Sequence, residues 1–360
     1  MSSRIPMEDR NVSEELASSN PLAPTASEHR TLLQRFVAFN QRAFIEVGVL
    51  PLLLIGLVLF FGLTEPRFLS TDNMFNLSRQ ASFLVIVALA QAVVIISGGF
   101  DLSVGGLVAL TSVITARVMS GMAGDGSVTA AIVVACLAGV AVGLVIGAVN
   151  GFCVALLRVP PFVVTLGMSS VAVGLALMFA DGAPVRGLPR EFSDVFGVGK
   201  WLGLATPVWF AIGLTVVMIL LMSRTRFGRH VYAVGGNERA ARLSGVSVWS
   251  TKWRVYVLAS TVVAVAGVLL TARVSSGEPN LGGPFPLESI AAAVLGGVAL
   301  GGGEGRVAGA AGGAIFVVML QNGMNLIRVA NYVQMIVIGV ALVIAYVIDQ
   351  LRTRVKTAQS

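Results

Sequence analysis

Charge, histidine and cysteine are scarce in this sequence, and each scarcity removes a class of chemistry. Of 360 residues, 12% are charged and 56% are hydrophobic, whereas a soluble domain is about a quarter charged. Mean hydropathy is +0.86, so water is not the main solvent for this chain. The two histidines, His29 and His230, stand outside the long apolar runs, which argues against a histidine proton relay or histidine-bound metal. Cys136 and Cys153 sit in apolar, helical sequence and read as small hydrophobes rather than a disulfide. No G-x-x-x-x-G-K-[ST] loop occurs: Gly197-Val198-Gly199-Lys200-Trp201 lacks the spacing and the hydroxyl, and residues 301–305 carry no lysine. H-E-x-x-H and G-x-S-x-G are missing too, so no catalytic constellation and no cofactor or metal is implied. Within the apolar runs carboxylates are almost limited to Asp101, which argues against a carrier coupled to ions or protons. If this chain pumps, its energy comes from another chain.

What the sequence has in abundance is apolar length. Ten runs can be marked at residues 44–63, 81–98, 102–120, 128–148, 162–180, 207–223, 253–273, 287–301, 306–322 and 332–348. Most approach the roughly 20 residues that a helix needs to cross a bilayer. The expected fold is an all-α polytopic membrane protein of about ten transmembrane helices, some short, broken or re-entrant. The runs at 287–301 and 306–322 are the weakest, being glycine-rich and close together, and read equally as one re-entrant element. Residues 1–42 are polar, lack the early apolar run of a signal peptide and read as a disordered cytoplasmic tail. Residues 43–350 form the membrane domain, and 351–360 a C-terminal tail. The loop at 224–252 holds Arg224, Arg226, Arg229, Arg239, Arg242 and Lys252 against the single acid Glu238. Lysine and arginine collect on the cytoplasmic side, and ten spans then place both termini there as well. The net charge of +7 is explained by such loops and calls for no nucleic acid.

The stretch at 97–106 (SGGFDLSVGG) puts one carboxylate and two hydroxyls between two apolar runs, with glycines on both sides. Glycine-rich backbone at membrane depth must lie against protein, line a cavity or reach the interface. Asp101 is placed to accept a backbone N–H from Ser103 or Val104 as a helix cap, or to act directly in a path. Gly139, Gly143, Gly147 and Gly151 recur every four residues and make a smooth stripe suited to close helix packing. Residues 291–305 faintly echo 90–105, as a two-half internal repeat would.

In the basic loop, residues 235–245 (GGNERAARLSG) carry the signals of one short helix. Asn237 suits the cap, Glu238 the first turn, Arg242 the last and Gly245 the stop. Ala240, Ala241, Leu243 and Ser244 leave a small apolar surface beside Arg239 and Arg242. Such a helix suits a groove on another protein or an anionic membrane surface. At 158–162, Pro160 and Pro161 end one run and start the next. Thr165, Ser169 and Ser170 then place hydroxyls in a span, while Gln91, Asn150, Gln321, Asn322 and Asn325 place amides. A path lined by such groups suits a neutral polyol, although bridging between helices is the commoner use.

Three stretches, 97–106, 148–167 (AVNGFCVALLRVPPFVVTLG) and 236–245 (GNERAARLSG), resemble signatures of ribose-type ABC transporter permeases. Residues 289–305 and 321–349 continue the match in order, and the first 40 residues fall outside it. The resemblance implies a multi-pass bacterial inner-membrane permease that imports a monosaccharide. It implies as partners a cytoplasmic ABC ATPase, a periplasmic sugar-binding protein and a second permease copy, all within membrane lipid. Asn237, Glu238, Arg239, Ala241, Arg242, Leu243, Ser244 and Gly245 become the element that couples to the ATPase. Gly99, Asp101, Ser103, Gly105, Asn150, Thr165, Asn322 and Asn325 remain candidates for the translocation path or for helix capping. Import of nucleosides or branched-chain amino acids by a related permease, or a self-contained carrier or channel, are the other readings.

Overall fold

The computed structural model describes residues 50–122 and 127–359. The expected N-terminal tail and residues 44–49 of the first apolar run lie outside the described residues. The helices are α1 (Leu50–Thr64), α2 (Thr71–Ile96), α3 (Val104–Gly121), α4 (Val128–Ala155), α5 (Pro161–Phe179) and α6 (Thr206–Arg224). They continue as α7 (Arg226–Gly236), α8 (Glu238–Leu243), α9 (Val248–Val274), α10 (Phe285–Leu295), α11 (Val307–Leu326) and α12 (Asn331–Gln359). Among the described residues, seven helices are long and apolar enough to cross a membrane: α2 to α6, α9 and α11. Three shorter apolar helices, α1, α10 and Asn331–Ile344 of α12, join them. This is an all-α polytopic membrane protein, with a helix on each apolar run.

The helix edges differ from the apolar edges for identifiable reasons. α2 starts at Thr71 because Ser70 Oγ accepts the Asn73 N–H at 3.3 Å and Asp72 suits the first turn. Its polar opening turns are invisible to hydropathy. α12 runs to Gln359, through the stretch expected to be a tail. Residues 351–359 contain no glycine or proline to stop it, and Arg352, Arg354 and Lys356 favour a helix C-terminus. The basic loop holds α7 as well as α8, and the sequence reading missed α7. Its arginines masked a narrow buried face of Gly228, Val231 and Val234.

α2 is the central helix. Residues 81–97 are buried on every side, as expected for a helix apolar all round. The glycine stripe of α4 faces α9, running antiparallel to it. A methyl group on Gly143 would lie 2.6 Å from both Ala264 Cβ and the Ser260 carbonyl, and one on Gly147 2.6 Å from the Tyr256 carbonyl. In lipid there is no hydrophobic drive between helices, so this close backbone contact is what holds α4 to α9. α5 and α6 are peripheral, with Phe162, Val163, Val216 and Val217 exposed and ready for lipid or another chain.

α10 is short because non-helical backbone flanks it. The chain leaves α9 at Ser275, in the left-handed region (φ 55°). Gly277 then exchanges backbone hydrogen bonds with Val185 (2.9 and 2.8 Å). Gly282 next crosses the first turn of α3 against the Gly105 backbone. α10 and α11 pack antiparallel, with Gly296 on Gly309 and Ala292 on Gly313. On the same side as Val185, strands β1 (Lys200–Trp201) and β2 (Leu204–Ala205) form a hairpin. Its Leu202-Gly203 turn has φ of 49° and 81°, matching the primed turns that two-residue hairpins prefer.

Candidate functional site

The α2–α3 junction is built from a helix stop and a buried carboxylate. Gly98 takes φ 80°, its N–H reaches the Ile95 carbonyl (2.9 Å), and the Gly99 N–H reaches Val94 (3.0 Å). This left-handed glycine ending satisfies carbonyls that the helix would otherwise leave open. The chain then turns so that the Phe100 carbonyl accepts from the Tyr256 hydroxyl of α9 (3.2 Å) and more loosely from Thr165 of α5 (3.5 Å). Asp101 Oδ1 accepts both the Ser103 N–H (2.8 Å) and the Ser103 hydroxyl (2.5 Å). Having given its one proton to Asp101, that hydroxyl accepts from Asn150 Nδ2 of α4 (2.9 Å).

Gly99, Asp101, Ser103, Asn150 and Thr165 therefore meet in one place, and all five are buried. Ser103, not Asp101, occupies the residue position ahead of α3 and makes no side-chain cap there. Asp101 instead clamps the turn leading into the helix. Among the described residues the carboxylate has no cation partner, and its Oδ2 has no hydrogen-bond partner. Gly105 stands apart from this network, where the linker before α10 crosses α3. The five buried residues of this network offer no surface to a solute.

On the side where this junction meets α7, the sequence-predicted docking helix is α8. Asn237 Oδ1 accepts the Ala240 N–H (2.9 Å) at its start. At its end Gly245 takes φ 81°, with its N–H on the Arg242 carbonyl (3.1 Å). Ser244 closes the last turn onto the Ala240 carbonyl (3.0 Å). Ala241 is buried with Val234 and Val248, while Arg239 is exposed and Leu243 is 83% exposed. Glu238 bridges Arg242 (2.8 Å) and Lys252 of α9 (2.7 Å). The Lys252 hydrogen bond, joined by that of Arg242, holds this carboxyl below its ordinary value of 4.5 against the opposing effect of burial.

Behind α8 lies a cleft of about 420 Å³, lined by Arg158, Pro160, Arg242, Trp249 and Lys252 and reaching Gly98 of the junction. Gly235, at the end of α7, packs directly on the Ile96 carbonyl and on Gly303. The Gly303 N–H donates to that same carbonyl (2.8 Å). The end of α7, the end of α2 and the turn after α10 thus share one contact point.

Asn322 and Asn325 are not part of the buried junction. Asn322 exchanges amide hydrogen bonds with Asn73 of α2 (2.8 and 3.0 Å), and Asn325 Oδ1 accepts from Gln334 of α12 (2.8 Å). Beside them lies a residue that the sequence reading passed over. Glu288, one turn into α10, is half-buried and its Oε1 accepts from Gln321 Nε2 at 2.6 Å. The signal was present, as a carboxylate inside the apolar run 287–301, but the glycine-rich character of that run drew attention to its backbone.

Known proteins share this arrangement of segments in sequence. The family described as branched-chain amino acid transport system / permease component matches residues 73–346. The ribose import permease protein RbsC of Escherichia coli strain K12 is 38% identical over 299 residues, covering 82% of this chain and 91% of that protein. The ribose import permease protein RbsC of Bacillus subtilis strain 168 is 37% identical over 296 residues, covering 82% and 89%. The L-arabinose transport system permease protein AraH of E. coli K12 is 34% identical over 291 residues, covering 81% and 86%. No solved structure matches the chain. With the buried junction, α8 and Glu288 all inside the matched stretch, the chain belongs to the family of branched-chain amino acid transport system permease components.

Proposed function

We propose that this chain is the membrane subunit of an ATP-driven importer, passing a monosaccharide from a periplasmic binding protein across a bacterial inner membrane. The observation that carries the reading is the likeness, at 38% and 34% identity over most of the chain, to permeases named for ribose and L-arabinose. A permease component is one part of a system, so ATP hydrolysis falls to a separate cytoplasmic ATPase and this chain is not an enzyme. Two copies pair around the path. The basic residues around α7 and α8 support a cytoplasmic position for them and for both termini.

In this reading the exposed face of α8, with Arg239 and Leu243, docks on the ATPase. Glu238 ties α8 to Lys252 at the start of α9, and Tyr256, one turn further on, holds the Phe100 carbonyl. Movement of the docking helix is thereby carried along α9 to the α2–α3 junction and to α4, which α9 grips through the glycine stripe. Such transmission requires that these packed elements have two discrete arrangements.

Co-purification of the tagged chain tests the assembly. An ATPase and a binding protein should be recovered, and the ligand of that binding protein should be a sugar. The double change Arg239→Glu, Arg242→Glu should abolish uptake and weaken ATPase association while the protein still inserts; normal uptake would overturn docking through α8. The family description favours a second reading, import of a branched-chain amino acid, and an amino acid in the co-purified binding protein would establish it. Uptake by the chain alone in ATP-free liposomes would instead contradict the ATP-driven importer.

A further inference from the structure

We infer that Glu288 and Gln321 form a subsite in the translocation path that binds hydroxyl groups of the passing sugar, an inference that rests on the importer reading. The first observation is the broken helix. α10 is eleven residues long, and its flanks, 275–284 and 296–306, are largely non-helical. Lipid cannot satisfy exposed peptide groups, so backbone of this kind within a membrane must be covered by protein or must line a water-filled cavity. Gly283 and Pro284 are exposed and Leu287 is 63% exposed, so the described residues do not cover them. Short helices interrupted at membrane depth are where transporters place their substrate sites.

The second observation is the carboxylate itself. Glu288 lies on the first turn of α10, close to where Gly282 and Pro286 touch Gly105 of α3, and outside the buried Asp101 network. An ionisable side chain between apolar spans is costly and marks function by default. Among the described residues Glu288 makes no ion pair; its carboxylate accepts from the Gln321 amide at 2.6 Å. Asp101, by contrast, is wholly buried and committed to Ser103.

The chemistry follows from the pair. A carboxylate offers acceptors only, while the amide offers two donors and an acceptor. Neighbouring hydroxyls of a sugar both donate and accept, so one can give its proton to Glu288 while the next accepts from Gln321. A site built to hydrogen-bond a hydroxyl discriminates strongly against a ligand that lacks it. Among the described residues no cation pairs with Glu288 to hold the carboxylate of an amino acid, which favours a neutral polyol. The neighbouring amides are already satisfied: Asn322 by Asn73, and Asn325 by Gln334.

The test uses the complete transporter in proteoliposomes, with its ATPase and binding protein, and D-ribose and L-arabinose as labelled probes. Glu288→Ala and Gln321→Ala should each lower sugar uptake by about tenfold or more, the scale of a lost hydrogen bond to a charged group, and Glu288→Gln by about threefold to tenfold, as a charged acceptor gives way to a neutral one. Complex assembly and basal ATP hydrolysis should stay within about twofold of the unaltered chain. Uptake by Glu288→Ala at the unaltered level overturns the subsite. Should that variant fail to assemble, Glu288→Cys, with Cys136 and Cys153 replaced by Ala, decides the matter. A charged, membrane-impermeant thiol reagent should label it and block uptake, with protection by sugar-loaded binding protein and ATP; no labelling at any stage of the ATP cycle overturns the proposal. Absence of uptake of any sugar by the unaltered complex would instead count against the importer reading.

Discussion

The chain ends two membrane helices on the same glycine stop and places one carboxylate near each helix, one enclosed and the other half-exposed. α2 ends at Gly98 (φ 80°) and α10 at Gly297 (φ 82°). At both, the glycine N–H reaches the carbonyl three residues back and the next N–H the carbonyl five residues back. After Gly98 the chain enters a buried network in which Ser103 donates to Asp101 Oδ1 and accepts from Asn150. Around α10 the backbone is partly exposed and Glu288 has a single amide partner. The two stops are alike, but Asp101 follows its stop directly in a closed joint, whereas Glu288 lies at the opposite end of α10 from Gly297, on a partly exposed surface. A carboxylate that is fully enclosed and paired within its own chain positions a helix, whereas one left half-exposed has capacity for something that passes by.

The most damaging way to break this comparison is at the closed joint. Asp101→Leu leaves the Ser103 N–H and hydroxyl without their acceptor and should cost about 3–6 kcal/mol, two hydrogen bonds to a charged group. Little folded protein should reach the membrane fraction, while Asp101→Asn, which still accepts, should retain much of it. Equal yields of the two variants would refute the clamp.

A smaller loss is expected where α4 meets α9. Gly143→Ala places a methyl group against Ala264 and the Ser260 carbonyl and should destabilise by about 1–3 kcal/mol. Gly213→Ala on α6, where nothing lies within 4 Å, should be neutral or stabilising by about 0.5–1 kcal/mol through helix propensity. Thermal melting of the detergent-solubilised protein should separate the two. Tyr256→Phe removes one hydrogen bond to the Phe100 carbonyl and should cost about 1 kcal/mol. Its larger signature should be ATP hydrolysis less tightly linked to uptake, read as sugar transported per ATP.

The smallest effect belongs to the Glu238 tether, which is too exposed to contribute much to stability. Its carboxyl is held below 4.5, so the tether is fully present above that pH and is lost as pH falls through the lowered value. Stimulation of the ATPase by the permease should be flat down to about pH 5 and decline below it. Lys252→Ala should remove that decline, leaving stimulation low and insensitive to acid.

Much of this architecture was legible in the residues. Ten apolar runs each carry a helix, because a bilayer demands uninterrupted apolar length and few sequences supply it by chance. Asn237 and Gly245 delimit α8 through local chemistry, a side-chain cap and a left-handed stop, that needs no partner from elsewhere in the chain. What escaped notice depends on distance. Asn150 and Tyr256 meet the 97–106 stretch from α4 and α9, and no spacing announces such a meeting. α7 was hidden because its buried face is three small or branched residues among arginines, and its role emerges only when Gly235 lies on Ile96. Glu288 was visible as a charge in an apolar run, yet its half-exposure follows from the linker crossing at Gly105, which periodicity cannot express. Asn322 and Asn325 carried the right residue type and stand elsewhere, paired to Asn73 and Gln334.

Asp101, just past the end of α2, and Glu288, on the first turn of α10, have opposite jobs, and the most direct test is to make the same isosteric change at each. Sugar uptake per membrane-inserted molecule should be measured for Asp101→Asn and Glu288→Gln in the assembled transporter. The account predicts that Asp101→Asn lowers the amount inserted while each molecule works within about twofold of normal. It predicts that Glu288→Gln inserts normally while each molecule slows by about threefold or more. The reverse pattern, a slow Asp101→Asn beside an unimpaired Glu288→Gln, would contradict it.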